Sequence, residues 1–308
     1  ATSDGCFMMN AGITQRHAVR GLQLNVRRWT NPQAAHADTP SLLMVHGWMD
    51  CSASFAFLVD ALGQQGSPRA SMLACDLRGF GQSDWSVNGV YGYYDYLADM
   101  DALVDRLVAS GELTLPFDLL GHSLGGNIVM LYAAARPQRV RRLINMEGFG
   151  LRAYPARHAP AHYTQWLDQV AKTGQRRVYP DMAGIVERVR ELSSRISEER
   201  LRFVAEHWCE QVEGGWQLRA DPGHRRASPD LYREDELRAC WASLAMPVLW
   251  LQADYTENIA RHGLTLESLA ERRSVIPNVT LAPIIDAGHM LHWDQPQQVA
   301  RAIQQFVC

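Results

Sequence analysis

Gly121-His122-Ser123-Leu124-Gly125-Gly126 follows the apolar run Phe117 to Leu120 and precedes the helical pattern Asn127 to Ala135. No other feature constrains the fold of this chain as much. A serine in G-x-S-x-G between a strand and a helix sits on a sharp turn with positive φ. Side chains at Gly121 and Gly125 would collide with neighbouring backbone, so glycine is needed at both. The turn lifts the Ser123 hydroxyl over the sheet edge. A helix N-terminus then lies beneath it and favours developing negative charge. Without such a setting, a G-x-S-x-G is an ordinary serine in a tight turn. The flanking strand and helix make Ser123 a candidate nucleophile.

The rest of the chain supplies the sheet that this turn requires. Short apolar runs occur at Ser41 to Val45, Met72 to Cys75, Arg142 to Met146, Pro247 to Leu251 and Val279 to Ile285. Runs of that kind suit parallel strands buried on both faces. Polarity alternates from Arg16 to Trp29 around Gly21, which predicts a hairpin. Helical spacing marks Ala53 to Leu62, Tyr94 to Val108 and Pro296 to Val307. The alternation of strand and helix predicts an α/β chain with a doubly wound, mostly parallel sheet. Residues 151–245 break the rhythm: helical patterns and loops, but no convincing buried strand. The expected organisation is a core of residues 1–150 and 246–308 with a helical cap at 151–245. The alternative is that the insertion thickens one side of the core.

Serine is a weak nucleophile without a base. His289, in Asp286-Ala287-Gly288-His289-Met290, follows the last apolar strand and precedes the final helix, where the base falls if the order is serine, acid, histidine. Among the other histidines, His292 is the serious rival. His46 and His122 adjoin turn glycines and are expected to orient loops, and His158 and His162 to lie on the surface. The oxyanion of acyl transfer needs backbone N–H donors. Leu124 follows the nucleophile and is one. Trp48, after His46-Gly47, is the other.

His46-Gly47-Trp48, the run Asp76 to Ser83 (D-L-R-G-F-G-Q-S), the Ser123 turn and Gly288-His289 together resemble the α/β-hydrolase fold superfamily. The resemblance covers the core on both sides of the insertion. The H-G-W-x-D opening and the helical insertion look most like its serine hydrolase-like branch, near the haloalkane dehalogenases and epoxide hydrolases. Those two carry an aspartate nucleophile where this chain has Ser123, so neither of their reactions is expected. The resemblance also implies where the acid lies. In most members it follows the strand matching Pro247 to Leu251, as G-x-x-D. Here Ala253 takes the glycine place and Thr256 the aspartate place, with Asp254 and Glu257 off register. Some relatives carry the acid one strand earlier, which is Glu147 here. An acidic residue at the end of an apolar strand is costly to bury unless paired. His289 would supply the partner, so Glu147 is preferred over Asp254 and Glu257. An ion pair from Glu147 to Arg152 is the structural alternative.

Thirty Lys and Arg against 33 Asp and Glu, mixed along the chain, give a net charge of -3. Neither nucleic acid nor an anionic membrane surface is an expected partner. No apolar run approaches the roughly 20 residues that cross a bilayer. The stretch Ala1 to Asn10 does not read as a signal peptide. The six scattered cysteines (Cys6, Cys51, Cys75, Cys209, Cys240, Cys308) are expected as free thiols in a cytoplasmic protein. No phosphate loop, dinucleotide fingerprint or metal cluster is visible, so no cofactor and no metal are expected. Asp76 and Arg78 are expected to brace loops, and Asp50 to hold the oxyanion loop. Cap aromatics Tyr154, Tyr163, Trp166, Trp208, Trp216 and Trp241 are candidates to line an acyl pocket. The expected activity is hydrolysis of a small or medium carboxylic ester by a monomer or homodimer. Thioesterase, lactonase and carbon–carbon hydrolase chemistry use the same groups. A ligand-binding protein with little turnover is the reading from another class.

Overall fold

The computed structural model describes residues 10–30, 41–67, 71–172, 174–255 and 257–307, with the backbone alone at residue 257. The predicted hairpin forms from β1 (Ile13–Val19) and β2 (Leu22–Thr30), paired antiparallel across Arg20 and Gly21. Both turn residues have positive φ, 49° and 81°, as a tight two-residue hairpin turn demands. The predicted apolar runs become β3 (Leu42–Val45), β4 (Ser71–Cys75), β5 (Phe117–His122) and β6 (Val140–Met146). Two further strands, named below, complete an eight-stranded sheet that is parallel except where β2 meets β1 and β4.

Alternate residues of each central strand face opposite layers. Leu42 and Met44 join one buried cluster, and Leu43 and Val45 the other. α1 (Ala56–Gln64) covers the first layer. α2 (Tyr93–Ala109) and α3 (Leu124–Ala135) cover the second. The α3 helix starts three residues before its apolar pattern does, because Gly125 and Gly126 carry no side chain to reveal it.

Between β6 and the next sheet strand the chain forms α4 (Ala159–Val170), α5 (Met182–Arg190) and α6 (Glu198–Trp208). It then makes an antiparallel pair, β7 (Cys209–Val212) and β8 (Gly215–Leu218). The sequence shows no convincing buried strand in this stretch, and this pair is only partly buried. Both strands have four residues, and β7 continues directly from α6. Neither is long enough to show a period of two. Glu213 and Gly214 make the turn, Gly214 with φ of 84°.

α7 (Glu234–Ala242) leads back to the sheet, where Trp241 packs edge-on to Trp250 at 5.4 Å. Trp250 belongs to β9 (Val248–Ala253), which runs parallel to β6. α8 (Glu257–Arg261), α9 (Leu266–Arg273) and the edge strand β10 (Val279–Ile284) follow. α10 (Leu291–Asp294) and α11 (Pro296–Val307) close the chain. The strand order is β1-β2-β4-β3-β5-β6-β9-β10.

The 151–245 segment is fastened to loops at the C-terminal ends of the parallel strands. The Gly81 amide donates to the Arg219 carbonyl and the Asp221 amide to the Gly79 carbonyl, both at 2.9 Å. The His224 ring stacks on Phe80 at 3.7 Å. Trp208 Nε1 donates to Asp50 at 3.0 Å. Beneath these contacts, Asp76 accepts from the Ser52 and Gln82 amides and from Asn25, and Arg78 forms a bidentate pair with buried Asp99 at 2.5 Å. Asp76 and Arg78 thus brace loops, as expected. No helix among the described residues is long and apolar enough to cross a membrane. Cys51, Cys75, Cys209 and Cys240 are free thiols, and Cys6 and Cys308 lie outside the described residues.

Packing is close at Gly125, where an added Cβ would fall onto the carbonyl oxygens of Val45 and His46. Backbone on both sides leaves no room to yield. Gly125→Ala is expected to lower the melting temperature by more than about 5 °C. A melt unchanged from wild type contradicts this packing.

Candidate active site

Ser123 sits between β5 and α3 with φ 53° and ψ -114°, a conformation that a side-chain-bearing residue adopts only when its surroundings impose it. Three groups impose it here. An added Cβ at Gly121 would fall onto the Gly125 carbonyl, so only glycine lets α3 fold back this closely. The Ser123 amide donates to the Met146 carbonyl at 2.8 Å. The Ser123 carbonyl accepts from the Asn127 amide at 3.0 Å, within the first turn of α3.

His289 lies on the loop between β10 and α10. Its Nε2 accepts from the Ser123 hydroxyl at 3.0 Å, and its Nδ1 lies 3.3 Å from Glu147 Oε2. Glu147 follows β6 with φ 58° and is 3% exposed. Its other oxygen accepts from the Ala253 amide at 2.8 Å. Asn145 holds this turn from below, bonding both the amide and the carbonyl of Gly148 at 3.0 Å. The structure thus brings Ser123, His289 and Glu147 together, and it shows no ion pair from Glu147 to Arg152.

The other acid candidates fall elsewhere. Asp254 accepts from the Asp286 and Ala287 amides at 2.9 and 3.0 Å. It carries the loop that bears His289 and makes no hydrogen bond to the imidazole. The Glu257 side chain and Thr256 lie outside the described residues.

His292 is fully buried on the far side of His122, with ring centroids 4.6 Å apart. His122 Nε2 donates to the His289 carbonyl at 2.8 Å, so His122 steadies the loop from behind. His46 donates from Nδ1 to the Gly47 carbonyl at 2.7 Å and accepts from the Leu77 amide at 3.0 Å, which fixes the loop before Trp48.

Trp48 and Leu124 both line the cavity at Ser123. Among the described residues, neither backbone amide donates to a protein acceptor. A Cβ added to Gly47 would lie 3.2 Å from Ser123 Cβ, so this loop presses against the serine. The Trp48 indole is half exposed and donates to the His224 carbonyl at 3.3 Å. Asp50 accepts from the Cys51 amide, the Ser54 hydroxyl and Trp208 Nε1, joining the Trp48 loop to α6.

The cavity has a volume of about 550 Å³. Of the six aromatics considered as lining, only Trp208 borders it. Tyr154 and Tyr163 are exposed, and Trp241 is buried against the sheet. The mostly polar run 190–195 and α8 border it as well. Asn258 on α8 escaped sequence reasoning: its side-chain amide lies 2.9 Å from His289 Nδ1. Nothing in Asn258-Ile259-Ala260 marks that role. The proximity arises because β9 and β10 deliver α8 and His289 to the same end of the sheet.

The electrostatics favour an uncharged imidazole. Burial pushes His289 below its ordinary range, and His262 and Arg261 push it the same way. Burial also raises the Glu147 carboxyl, against the Ala253 hydrogen bond. The 3.3 Å contact between the two works in the other direction, favouring charge on both. Asp50, His122 and His292 place donor atoms within 4.8 Å of one another. They are the group among the described residues that has metal-ligand chemistry, although both Asp50 oxygens already accept hydrogen bonds. With Nδ1 protonated, which requires Asn258 to present its amide oxygen rather than its NH2 to that nitrogen, and with Nε2 free, this arrangement can take a proton from Ser123 and hold the imidazolium against Glu147.

The alpha/beta hydrolase fold family model matches residues 40–296. A serine hydrolase-like protein of Dictyostelium discoideum is 22% identical over 304 residues, covering 94% of this chain and 80% of that protein. The 2-(acetamidomethylene)succinate hydrolase of Mesorhizobium japonicum is 24% identical over 297 residues, covering 96% and 95%. The solved thioesterase domain from the curacin biosynthetic pathway superposes with a TM-score of 0.83 at 23% identity, over 96% of this chain and all of that one.

Desolvation and the Arg261 charge both predict that His289 titrates below the ordinary imidazole value of about 6.5. Titration followed by NMR is expected to leave its ring neutral at pH 6.5. A midpoint at or above that value shows instead that the Glu147 contact outweighs burial and the Arg261 charge.

Proposed function

The chain belongs to the alpha/beta hydrolase fold family, and we propose that it is a serine hydrolase that cleaves a small or medium carboxylic ester through an acyl-enzyme on Ser123. The observation that carries this reading is the line from Ser123 Oγ to His289 Nε2 and from Nδ1 to Glu147, at 3.0 and 3.3 Å.

His289 Nε2 removes the Ser123 proton as Oγ attacks the ester carbonyl. The carbonyl π-electrons move onto oxygen, and the N–H groups of Trp48 and Leu124 receive that charge. Collapse expels the alkoxide, which His289 protonates from Nε2, leaving the acyl group on Ser123. Water then gives its proton to His289 and attacks the acyl carbon, and the same collapse releases the carboxylic acid and restores Ser123–OH. Glu147 does not take the proton. It holds the Nδ1–H tautomer and stabilises the imidazolium in each half-reaction.

Residues 151–245 act as the cap that closes the cavity, fastened to the core at Asp50, Gly79 and Gly81. The free thiols at the four described cysteines suit a cytoplasmic setting.

A panel of p-nitrophenyl esters of rising chain length tests the reading. Wild type is expected to turn over the shorter members, and Ser123→Ala to lose at least about 1,000-fold in kcat. If wild type and Ser123→Ala are equally inert yet still bind these ligands, the chain is a binding protein on a hydrolase fold.

The acid assignment has a separate readout. Glu147→Gln is expected to lower kcat about 100-fold or more, and Asp254→Asn much less. The reverse ranking moves the acid to Asp254.

A further inference from the structure

Three arginines line the cavity over Ser123: Arg190, Arg195 and Arg261. Arg190 pairs with Glu198 at 2.7 Å and Glu187 at 3.2 Å. Arg195 lies 3.5 Å from Asp286 and stacks on the Tyr255 ring at 3.6 Å. Arg261 has no carboxylate within 4.0 Å among the described residues.

The acidic groups of the lining are all engaged. Glu191 pairs with Arg188, and Glu147 faces His289. Asp294 accepts from Ser193 and the Gly288 amide, and Asp50 accepts from three donors. Arg261 is therefore the lining charge that the described protein leaves unmatched.

Its position makes the imbalance consequential. Arg261 stands one helical turn beyond Asn258 on α8, and residues three apart share a helix face. Asn258 touches the His289 ring at 2.9 Å. The Arg261 charge therefore bears on the imidazole. Each half-reaction of the proposed chemistry makes that imidazole cationic, and the charge on the exposed Arg261 side chain opposes the step. An anion seated on Arg261 removes the opposition as soon as substrate is bound.

We propose that the substrate of this cavity carries a carboxylate in addition to the ester, and that Arg261 binds it. This rests on the serine-hydrolase reading above and narrows its substrate class. A planar guanidinium takes a carboxylate through two parallel hydrogen bonds. The cavity, at about 550 Å³, has room for a half-ester of a medium-length dicarboxylic acid. Arg261 is thereby a specificity residue, making the charged substrate a better partner for Ser123 than its neutral counterpart.

The test compares mono-p-nitrophenyl adipate and suberate with their methyl-capped diesters, subtracting spontaneous hydrolysis. In wild type, at least one half-acid is expected to exceed its capped partner by about tenfold or more in kcat/KM. A tenfold ratio is what about 1.4 kcal/mol of differential binding supplies. Arg261→Ala is expected to bring the ratio to about one, chiefly by raising KM for the half-acid, and Arg261→Lys to restore part of it. A wild-type ratio of one or below for both chain lengths, with Ser123-dependent turnover intact, overturns the proposal and leaves the serine-hydrolase reading standing. A ratio near one that rises in Glu257→Gln also overturns it, because Glu257, one turn earlier on α8, is then the partner of Arg261. Absence of Ser123-dependent turnover on every ester sinks both readings together.

Discussion

The site depends on how closely α3 lies against the ends of β3, β5 and β6. Gly121, Gly125 and Gly126 lack the side chain that would hold those elements apart, and a Cβ at any of them would meet backbone or Asn145. That approach forces Ser123 into its positive-φ turn, at a cost of about 1–3 kcal/mol. The offset comes from the helix itself. Ile128, Val129, Met130 and Ala133 are completely buried, and burial of a large apolar side chain contributes about 1.5–3 kcal/mol. A surface helix with one apolar stripe has less with which to hold such a turn. The strain at Ser123 and the apolarity of α3 are thus parts of one arrangement.

A second strained residue is joined to the first. Glu147 also has positive φ, and its turn is pinned by Asn145, whose side chain reaches under Gly126. Because the Ser123 amide bonds the Met146 carbonyl, the two strand ends are locked together at the backbone. The imidazole then has only to be delivered at the right height. Asp254 and His122 do so from opposite sides, through the Asp286 and Ala287 amides and the His289 carbonyl. The loop that bears His289 is held by bonds to its backbone, which leaves the ring to meet Ser123, Glu147 and Asn258.

The parts of this arrangement that show in the sequence are those with a local pattern. Buried parallel strands read as apolar runs, and the Ser123 turn reads as glycines at fixed spacing between a strand and a helix. Glu147 stood out as an acid at the end of an apolar strand. What did not show depends on contacts between distant segments. Asn258 meets His289 only because β9 and β10 are neighbours, and no residue around it announces this. The β7–β8 pair is too short for its alternation to rise above chance. The cavity wall was sought among the aromatics of residues 151–245 because apolar rings usually line small-molecule sites. Most of those rings are used elsewhere: Trp241 fills the gap beside Trp250, while Tyr154 and Tyr163 face outward. The polar run 190–195 took their place, and its register against the core is set by Ser193 bonding Asp294, a contact 101 residues long.

The surroundings of His289 divide into two electrostatic halves. Behind it lie His122 and His292, both held well below their ordinary range by burial first, with His289 and His46 pushing His122 the same way and His122 and His289 pushing His292. Neutral rings there add no charge to oppose an imidazolium. The His292 ring nitrogens have no hydrogen-bond partner among the described residues, which is costly for a polar group but costlier still for a charged one. In front lies the cavity, where His262 is itself held down by burial and by Arg261. Among the described residues, Arg261 is then the permanent charge that acts on His289 from that side. Glu147 can stabilise the imidazolium only through a single contact at 3.3 Å. The balance at His289 is therefore decided on the open face, and whatever enters the cavity enters that balance. Desolvation sharpens the dependence, because a substrate that excludes water also removes the solvent that screens Arg261. Under the proposed chemistry, this geometry couples substrate charge to base strength, and selectivity and catalysis would be set at one place in the fold.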